Sequence, residues 1–256
     1  MDFKVSGIGK EPFFSLIGAS IHLDKWKLCY NSISNKNNIP FELIFVGPYT
    51  PNFKLPTNLR FIRSNVKPSQ CVEIAARKAK GKYLFPIADD VVLSSRFLNK
   101  LYEHIERIKD PLSFFSPIFK KNYIKYIYNK KLKFIKECPK VSCVSIYNAK
   151  KWREIGGIDR NFVATYWNYD IQFRLYKMGG NNIFIKNIIC NELTYNKNKK
   201  HLNRYASYDK RFLSTLWRNS QNKYFSKQRQ LPFKPFFDKR IKKKSQGKMD
   251  PLKRWK

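Results

Sequence analysis

The sequence predicts an α/β protein with a mostly parallel sheet flanked by helices and a basic C-terminal extension. Three observations carry this. Apolar runs of strand length alternate with amphipathic helical stretches through about residue 110. The strand runs end at Gly47 or at Asp89 and Asp90, residues that suit turns at a sheet edge. Hydrophobic residues make up 43% of the 256 residues and aromatics 16%, enough to bury the core of one large domain.

The elements follow in order. PFFSLIG, residues 12–18, reads as a short buried strand, and HLDKWKLCYNSI places Trp26, Cys29, Tyr30 and Ile33 on one helical face. Phe41–Val46 is a second strand, stopped by Gly47 and Pro48, and Leu59–Arg63 a third. A helix spans about Ser69 to Lys80, with Ser69 at its start and Gly81 at its end. KYLFPIADD is a fourth strand in which Pro86 cannot donate to a ladder. SSRFLNKLYEHIERI is a helix with Phe97, Leu98, Leu101 and Ile105 inward. Residues 111–140 mix aromatics with lysines without a clean period. Then come a strand in VSCVSIYN, a short helix in AKKWREIGG, a helix ending at Gly179, a strand in NIFIKNIIC and a helix around Tyr208–Arg218. The domain is expected over 1–220, in two halves at 12–110 and 111–220. Residues 221–256 form a basic tail, in which Lys239–Lys256 holds nine basic residues and one acid.

Charge is the most unusual feature: 52 Lys and Arg against 18 Asp and Glu give a net +34. An anionic partner is expected, whether nucleic acid, acidic headgroups or a nucleoside diphosphate. A lysine-rich compositional bias is the bland alternative, and the abundant Asn, Ile and Tyr fit it. No apolar run reaches the ~18 residues of a membrane span. The first residues lack the basic-then-apolar layout of a signal peptide, so a cytoplasmic location is expected, with peripheral attachment to the inner membrane face. Cys29, Cys71, Cys138, Cys143 and Cys190 are odd in number, form no CxxC pair and read as reduced thiols without zinc-site spacing.

Acids are scarce, so their positions inform. Asp89 and Asp90 are adjacent at a predicted strand end, where ligands of parallel sheets bind. Two adjacent carboxylates repel unless a cation sits between or beside them. A hard divalent ion with oxygen ligands, completed by substrate phosphates, fits. The other reading is a turn pair capping the helix that starts near Ser94 and Ser95. Asp170 stands four residues before Arg174, and the local pattern favours an i,i+4 ion pair over a carboxylate that deprotonates a hydroxyl.

The order of FELIFVG, LRFIRS, CVEIAARKAKGKYLFPIADDV, IGGIDRNF and WNYDIQFRLYKMGG resembles the family 2 glycosyltransferases of the GT-A fold, over about residues 12–190. A weaker echo lies in YDKRFLSTLW. The family's D-x-D motif matches Ile87 and Asp89, with Asp90 able to supply the missing carboxylate. Its G-G-x-D segment matches Gly156, Gly157 and Asp159, and its E-D-x-D-L-x-x-R motif matches Trp167 through Arg174. The family's base position falls on Asn168, an amide, with Asp170 two residues on. Gly47 stands where the family usually has an aspartate near the base of the nucleotide. The resemblance implies inverting transfer from a nucleotide-diphospho-sugar such as a UDP-sugar to a glycan or lipid-linked acceptor. Mn2+ or Mg2+ would sit at Asp89 and Asp90, the donor at Ala19, Ser20, Gly47, Lys67, Gln70 and Asp89, and catalysis at Asp170 and Asn168. Two other classes stand beside it: a glycosyltransferase-like domain without catalysis, motivated by Asn168 and Ile87, and a basic nucleic-acid-binding protein, motivated by charge and aromatics such as KKNYIKYIYNKKLKF. The basic tail and the 111–140 segment are expected on an anionic membrane surface, at ~1 kcal/mol per lysine.

Overall fold

The computed structural model describes residues 11–125, 140–193 and 200–217. The basic tail, Cys138 and most of the aromatic-lysine segment lie outside these residues.

The main sheet has the order β3-β2-β1-β4-β8. Strands β1 (Phe14–Ala19), β2 (Phe41–Gly47), β3 (Leu59–Arg63) and β4 (Tyr83–Pro86) are parallel, and β8 (Tyr147–Asn148) runs antiparallel beside β4. The period-2 alternation of each strand builds two cores. Phe14, Leu16, Leu43, Phe45 and Phe85 face helices α1 (Trp26–Ser34) and α3 (Phe97–Ile108). Ile17, Ile44, Val46 and Leu84 face α2 (Pro68–Lys78), α4 (Ala149–Glu154) and α5 (Trp167–Lys177). The helical faces read from sequence, Trp26/Cys29/Tyr30/Ile33 and Phe97/Leu98/Leu101/Ile105, are both buried.

Pro86 sits in the sheet without loss. Tyr83 and Ile87 donate to Phe13 and Ile17 on the β1 side. The nitrogen of Pro86 therefore faces the other edge, where β8 pairs only with Tyr83 and Leu84.

Several boundaries differ from expectation. Ser69 does not cap α2: Lys67 precedes the helix, Pro68 opens it, and the Ser69 hydroxyl donates to the carbonyl of Phe162 at 2.6 Å. Gly81 lies beyond the end of α2, against β1, where a Cβ would meet Ser15 Oγ at 2.6 Å. Of VSCVSIYN only Tyr147 and Asn148 form a strand.

The largest difference is a second sheet of order β5-β9-β6-β7. It joins β5 (Val91–Leu93), β6 (Phe114–Lys121), β7 (Ile124–Lys125) and β9 (Asn182–Glu192). Strand β6 came from the stretch without a clean period because both its faces are covered, so it carries no polar alternation. A third apolar cluster joins α5 to α6 (Lys200–Trp217) through Tyr169, Phe173, Leu213, Leu216 and Trp217.

Candidate functional site

The carboxyl ends of β1, β2 and β4 converge, which brings Ala19, Ser20, Gly47 and Asp89 together. Asp89 is 3% exposed and organises the loop after β1. Its Oδ2 accepts from the Ser20 hydroxyl at 2.8 Å, the Ile21 N–H at 2.7 Å and the His22 N–H at 2.5 Å. The Ser20 hydroxyl in turn accepts from Trp26 Nε1 at 2.6 Å, fixing the hydroxyl hydrogen toward Asp89. Asp89 thus acts on the backbone opposite rather than capping α3, whose N-cap is the left-handed Arg96 with no side-chain bond.

Gly47 is a steric requirement. A Cβ there would meet the Ser20 carbonyl oxygen at 2.0 Å, because Ser20 N–H donates to Val46 and draws the β1 loop across β2. This backbone leaves no room for an aspartate at position 47.

Asp90 turns to the second sheet. Its carbonyl accepts from Leu193 N–H at 2.9 Å, and the next residue, Val91, pairs with Glu192. Burial first, then the charges of Glu192 and Asp89, push the Asp90 carboxyl up to about 7. Glu192 is held by Lys121 at 3.2 Å. Sequence reading missed Glu192, although it closes the strand read in NIFIKNIIC, and strand ends are where ligand-facing residues gather. Lys67, which precedes α2, and Gln70, in its first turn, are both buried, and Ser69 between them bonds to Phe162 and Val163.

The expected catalytic pair occupies α5. Asp170 is fully buried; its Oδ2 lies 2.9 Å from Arg174 Nη2 and its Oδ1 accepts from Trp217 Nε1 at 2.9 Å. Although α5 starts at Trp167, Asp170 already points into the domain, away from solvent. The i,i+4 ion pair therefore stands in place of a base at Asp170. Arg174 also donates to the carbonyls of Ile155 at 2.5 Å and Gly157 at 2.6 Å. The second glycine of the G-G-x-D segment and the arginine of the acidic motif thus form one joint.

Asn168 is half-buried and donates through Nδ2 to the carbonyls of Ser142 at 3.1 Å and Cys143 at 2.9 Å. One turn on, Gln172 repeats the tie: its Nε2 donates to Ser142 C=O at 2.7 Å and its Oε1 accepts from Ser142 N–H at 2.9 Å. Two carbonyls facing one side-chain atom require a donor there, which fixes the amide orientation. Position 168 thus holds the 142–143 loop and has no basicity.

Three further buried carboxylates escaped the sequence reading: Glu42, which accepts from the Ser15 hydroxyl, Arg60 and the Lys80 N–H at 2.6–2.7 Å, Asp209 and Glu73. Asp209 on α6 accepts from the N–H groups of Val163, Ala164 and Thr165 at 2.8–2.9 Å, securing the loop that leads into α5. Glu73 accepts from Arg77, Trp152 Nε1 and Ile158 N–H at 3.0–3.1 Å. Only the long-range fold creates these partners, 44 to 46 residues away for Asp209 and 79 and 85 for Trp152 and Ile158.

Neither a protein-family profile nor a curated protein sequence matches the chain. Solved structures do. The chain resembles GalNAc-T7 with UDP, GalNAc and Mn2+ at TM-score 0.56 and 13% identity, over 72% of this chain and 44% of that one. It resembles residues 1–349 of S. aureus TarS in complex with UDP at TM-score 0.57 and 12% identity, over 77% and 64%. A second S. aureus TarS structure matches at 0.55 and 12%, over 77% and 38%. The chain spans less than two thirds of each of these proteins. These likenesses establish the fold: a mixed α/β domain of the GT-A glycosyltransferase type.

Proposed function

We propose that this domain binds a nucleotide-diphospho-sugar at the carboxyl edge of β1, β2 and β4 and transfers its sugar to an acceptor hydroxyl. The observation that carries the reading is the division of labour between two adjacent acids. Asp89 shapes the β1 loop, while Asp90 enters the second sheet, where its neighbour Val91 pairs with Glu192. GalNAc-T7 was solved with UDP and Mn2+, and TarS with UDP, on this same fold.

A divalent cation fits the donor set. Asp90 and Glu192 are hard oxygen ligands whose mutual repulsion a cation relieves. Among the described residues no group of three or more His, Cys, Asp or Glu is placed to hold a metal. The donor's phosphates would therefore complete the coordination. Bound there, the ion supplies charge stabilisation to the departing diphosphate. Ser20, Ile21 and His22, held by Asp89, form the rim against which the nucleotide lies. In the transfer the acceptor oxygen bonds to the anomeric carbon as the bond to the phosphate oxygen breaks. The hydroxyl proton passes to solvent water or to the departing diphosphate, because the Asn168 amide has no basicity and Asp170 is buried against Arg174.

The Asn168 geometry favours a second reading, a domain that binds the donor without base-assisted transfer. Calorimetry with UDP and Mn2+, run beside a UDP-sugar turnover assay, tests both. We expect UDP binding that needs Mn2+ and falls at least ~10-fold in D90N. UDP binding with no dependence on Mn2+ or on Asp90 would overturn the site assignment. Donor binding without turnover on any glycan or lipid-linked acceptor would select the second reading.

A further inference from the structure

A hairpin stands beside Asp90 and Glu192. β6 and β7 pair Lys121 with Ile124, leaving Asn122 and Tyr123 as the two turn residues. Both are left-handed, with φ of 48° and 65°. That is the two-residue turn whose positions favour Asn and Gly, and a bulky tyrosine there is strained. The turn is fastened to β9: Asn122 N–H donates to the Glu192 carbonyl at 2.9 Å, and Tyr123 N–H to Asn191 Oδ1 at 2.8 Å.

The turn presents apolar side chains outward. Tyr123 is 69% exposed and Ile124 74%, whereas the other exposed large hydrophobic side chains among the described residues lie at 39–41% and are scattered. A fastened, strained turn that holds an adjacent apolar pair in water adds nothing to the core, and such surface marks an interaction site. Its charge is one-sided. Lys120, Lys121 and Lys125 share the hairpin, and the sequence from Pro111 to Lys136 holds seven lysines and no Asp or Glu.

We propose that the β6–β7 hairpin docks on an anionic lipid bilayer, with Tyr123 at headgroup level, Ile124 in the acyl boundary and the basic hairpin drawn to the anionic headgroups. A tyrosine suits the interface because one end of its ring is wet and the other apolar. The aliphatic Ile124 separates this surface from a nucleic-acid platform, which works through π-faces. Lys121 bonds Glu192, and Glu192 neighbours Asp90, so docking sets the candidate site against the membrane. The acceptor class that follows is a hydroxyl carried by a lipid. That last step rests on the transferase reading; the docking does not.

The test is co-sedimentation of the full chain with vesicles of phosphatidylcholine alone or with about one third phosphatidylglycerol, near physiological salt. The comparison variant is Y123N/I124S, since both sites are exposed and asparagine accepts the left-handed turn. We expect binding to the anionic vesicles only, weakened by salt, and at least ~10-fold weaker in Y123N/I124S, with its melting temperature unchanged. A K120Q/K125Q variant should also bind less. Equal binding by Y123N/I124S, equal binding to neutral vesicles, or displacement of the protein from vesicles by single-stranded RNA with no change in Y123N/I124S would overturn the proposal. Mn2+-dependent UDP affinity, measured on the same samples, reports on the transferase reading alone. Its absence beside intact vesicle binding would reject that reading and leave the docking standing.

Discussion

Replacing Asn168 by aspartate restores the residue type that the resembled family uses as its base, and two outcomes compete. If the amide had merely replaced a base in an open site, N168D would be stable and would gain turnover. The geometry requires the opposite. The two Nδ2 bonds, at 3.1 and 2.9 Å to Ser142 and Cys143, would be lost, at a net ~0.5–1.5 kcal/mol each. The introduced carboxylate would then face two carbonyl oxygens in a half-buried position, where partial solvent screening limits the added repulsion to about 1 kcal/mol. The sum is about 2–4 kcal/mol, or a fall in melting temperature of roughly 5–15 °C for a domain of this size. N168A separates the two contributions, because it loses the bonds without adding charge. The carbonyls and burial hold the introduced carboxyl above its ordinary range. The folded form therefore keeps a proton that the unfolded chain releases near pH ~4, and the deficit of N168D grows as pH rises from there. Thermal melts of N168D and N168A from pH 5 to 8, with UDP-sugar turnover alongside, decide the matter. A variant that melts like the wild type and turns over faster would refute the structural role of Asn168.

Three other outcomes follow from the same geometry. D170N leaves Arg174 buried without its counter-charge and should cost about 3–5 kcal/mol, seen as a lower melting temperature before any change in turnover per folded molecule. G157A places a Cβ 2.5 Å from both Glu73 carboxylate oxygens at a φ of +68°, and should destabilise by at least ~2 kcal/mol in urea unfolding. Burial raises Glu73 above its ordinary range, against the bonds from Ile158, Arg77 and Trp152. Its contribution to stability is therefore full below the unfolded value of ~4.3 and lost as pH rises through the raised one. E73Q should flatten that part of the stability–pH curve, read from melts between pH 4 and 7.

The parallel half of the fold was legible because its signals are local. Strand length, helical face and turn residues agree in the first 110 residues, and the faces of α1 and α3 came out residue by residue. The second sheet was not legible for a physical reason. β6 and β9 pair in parallel across some 70 residues, and most of β6 is buried on both faces, so neither alternation in β6 nor a hairpin signal marks the pairing. The acidic pair was found by its place at a strand end, but the split between Asp89 and Asp90 was not. It depends on the N–H groups of Ile21 and His22, nearly 70 residues away. The Asp170–Arg174 pair was readable from spacing alone, whereas the Asn168 tie needed the carbonyls of a loop with no regular structure.

The buried acids also argue for where the chemistry lies. Asp89, Glu73 and Asp209 each meet at least three N–H or O–H donors, and Asp170 meets Arg174 and Trp217. Such carboxylates hold loops and helices in register, and their partners account for them. Asp90 has a different environment. The charges around it are mainly those of Glu192 and Asp89, with Lys121 a smaller, opposing influence. In a chain with a net charge of +34, cationic side chains are plentiful, yet the carboxyl edge of the main sheet sets acid against acid. Folding alone gains nothing from that repulsion, since any neutral residue at position 90 would remove it. Either a proton on Asp90, whose carboxyl burial and the two neighbouring acids push up to about 7, or a positive group brought from outside relieves it. Asp90 and Glu192 would hold the proposed cation, which would relieve the repulsion at neutral pH and above, and this is why Asp90 rather than Asp89, Asp170 or Asn168 is the residue on which the proposed function turns.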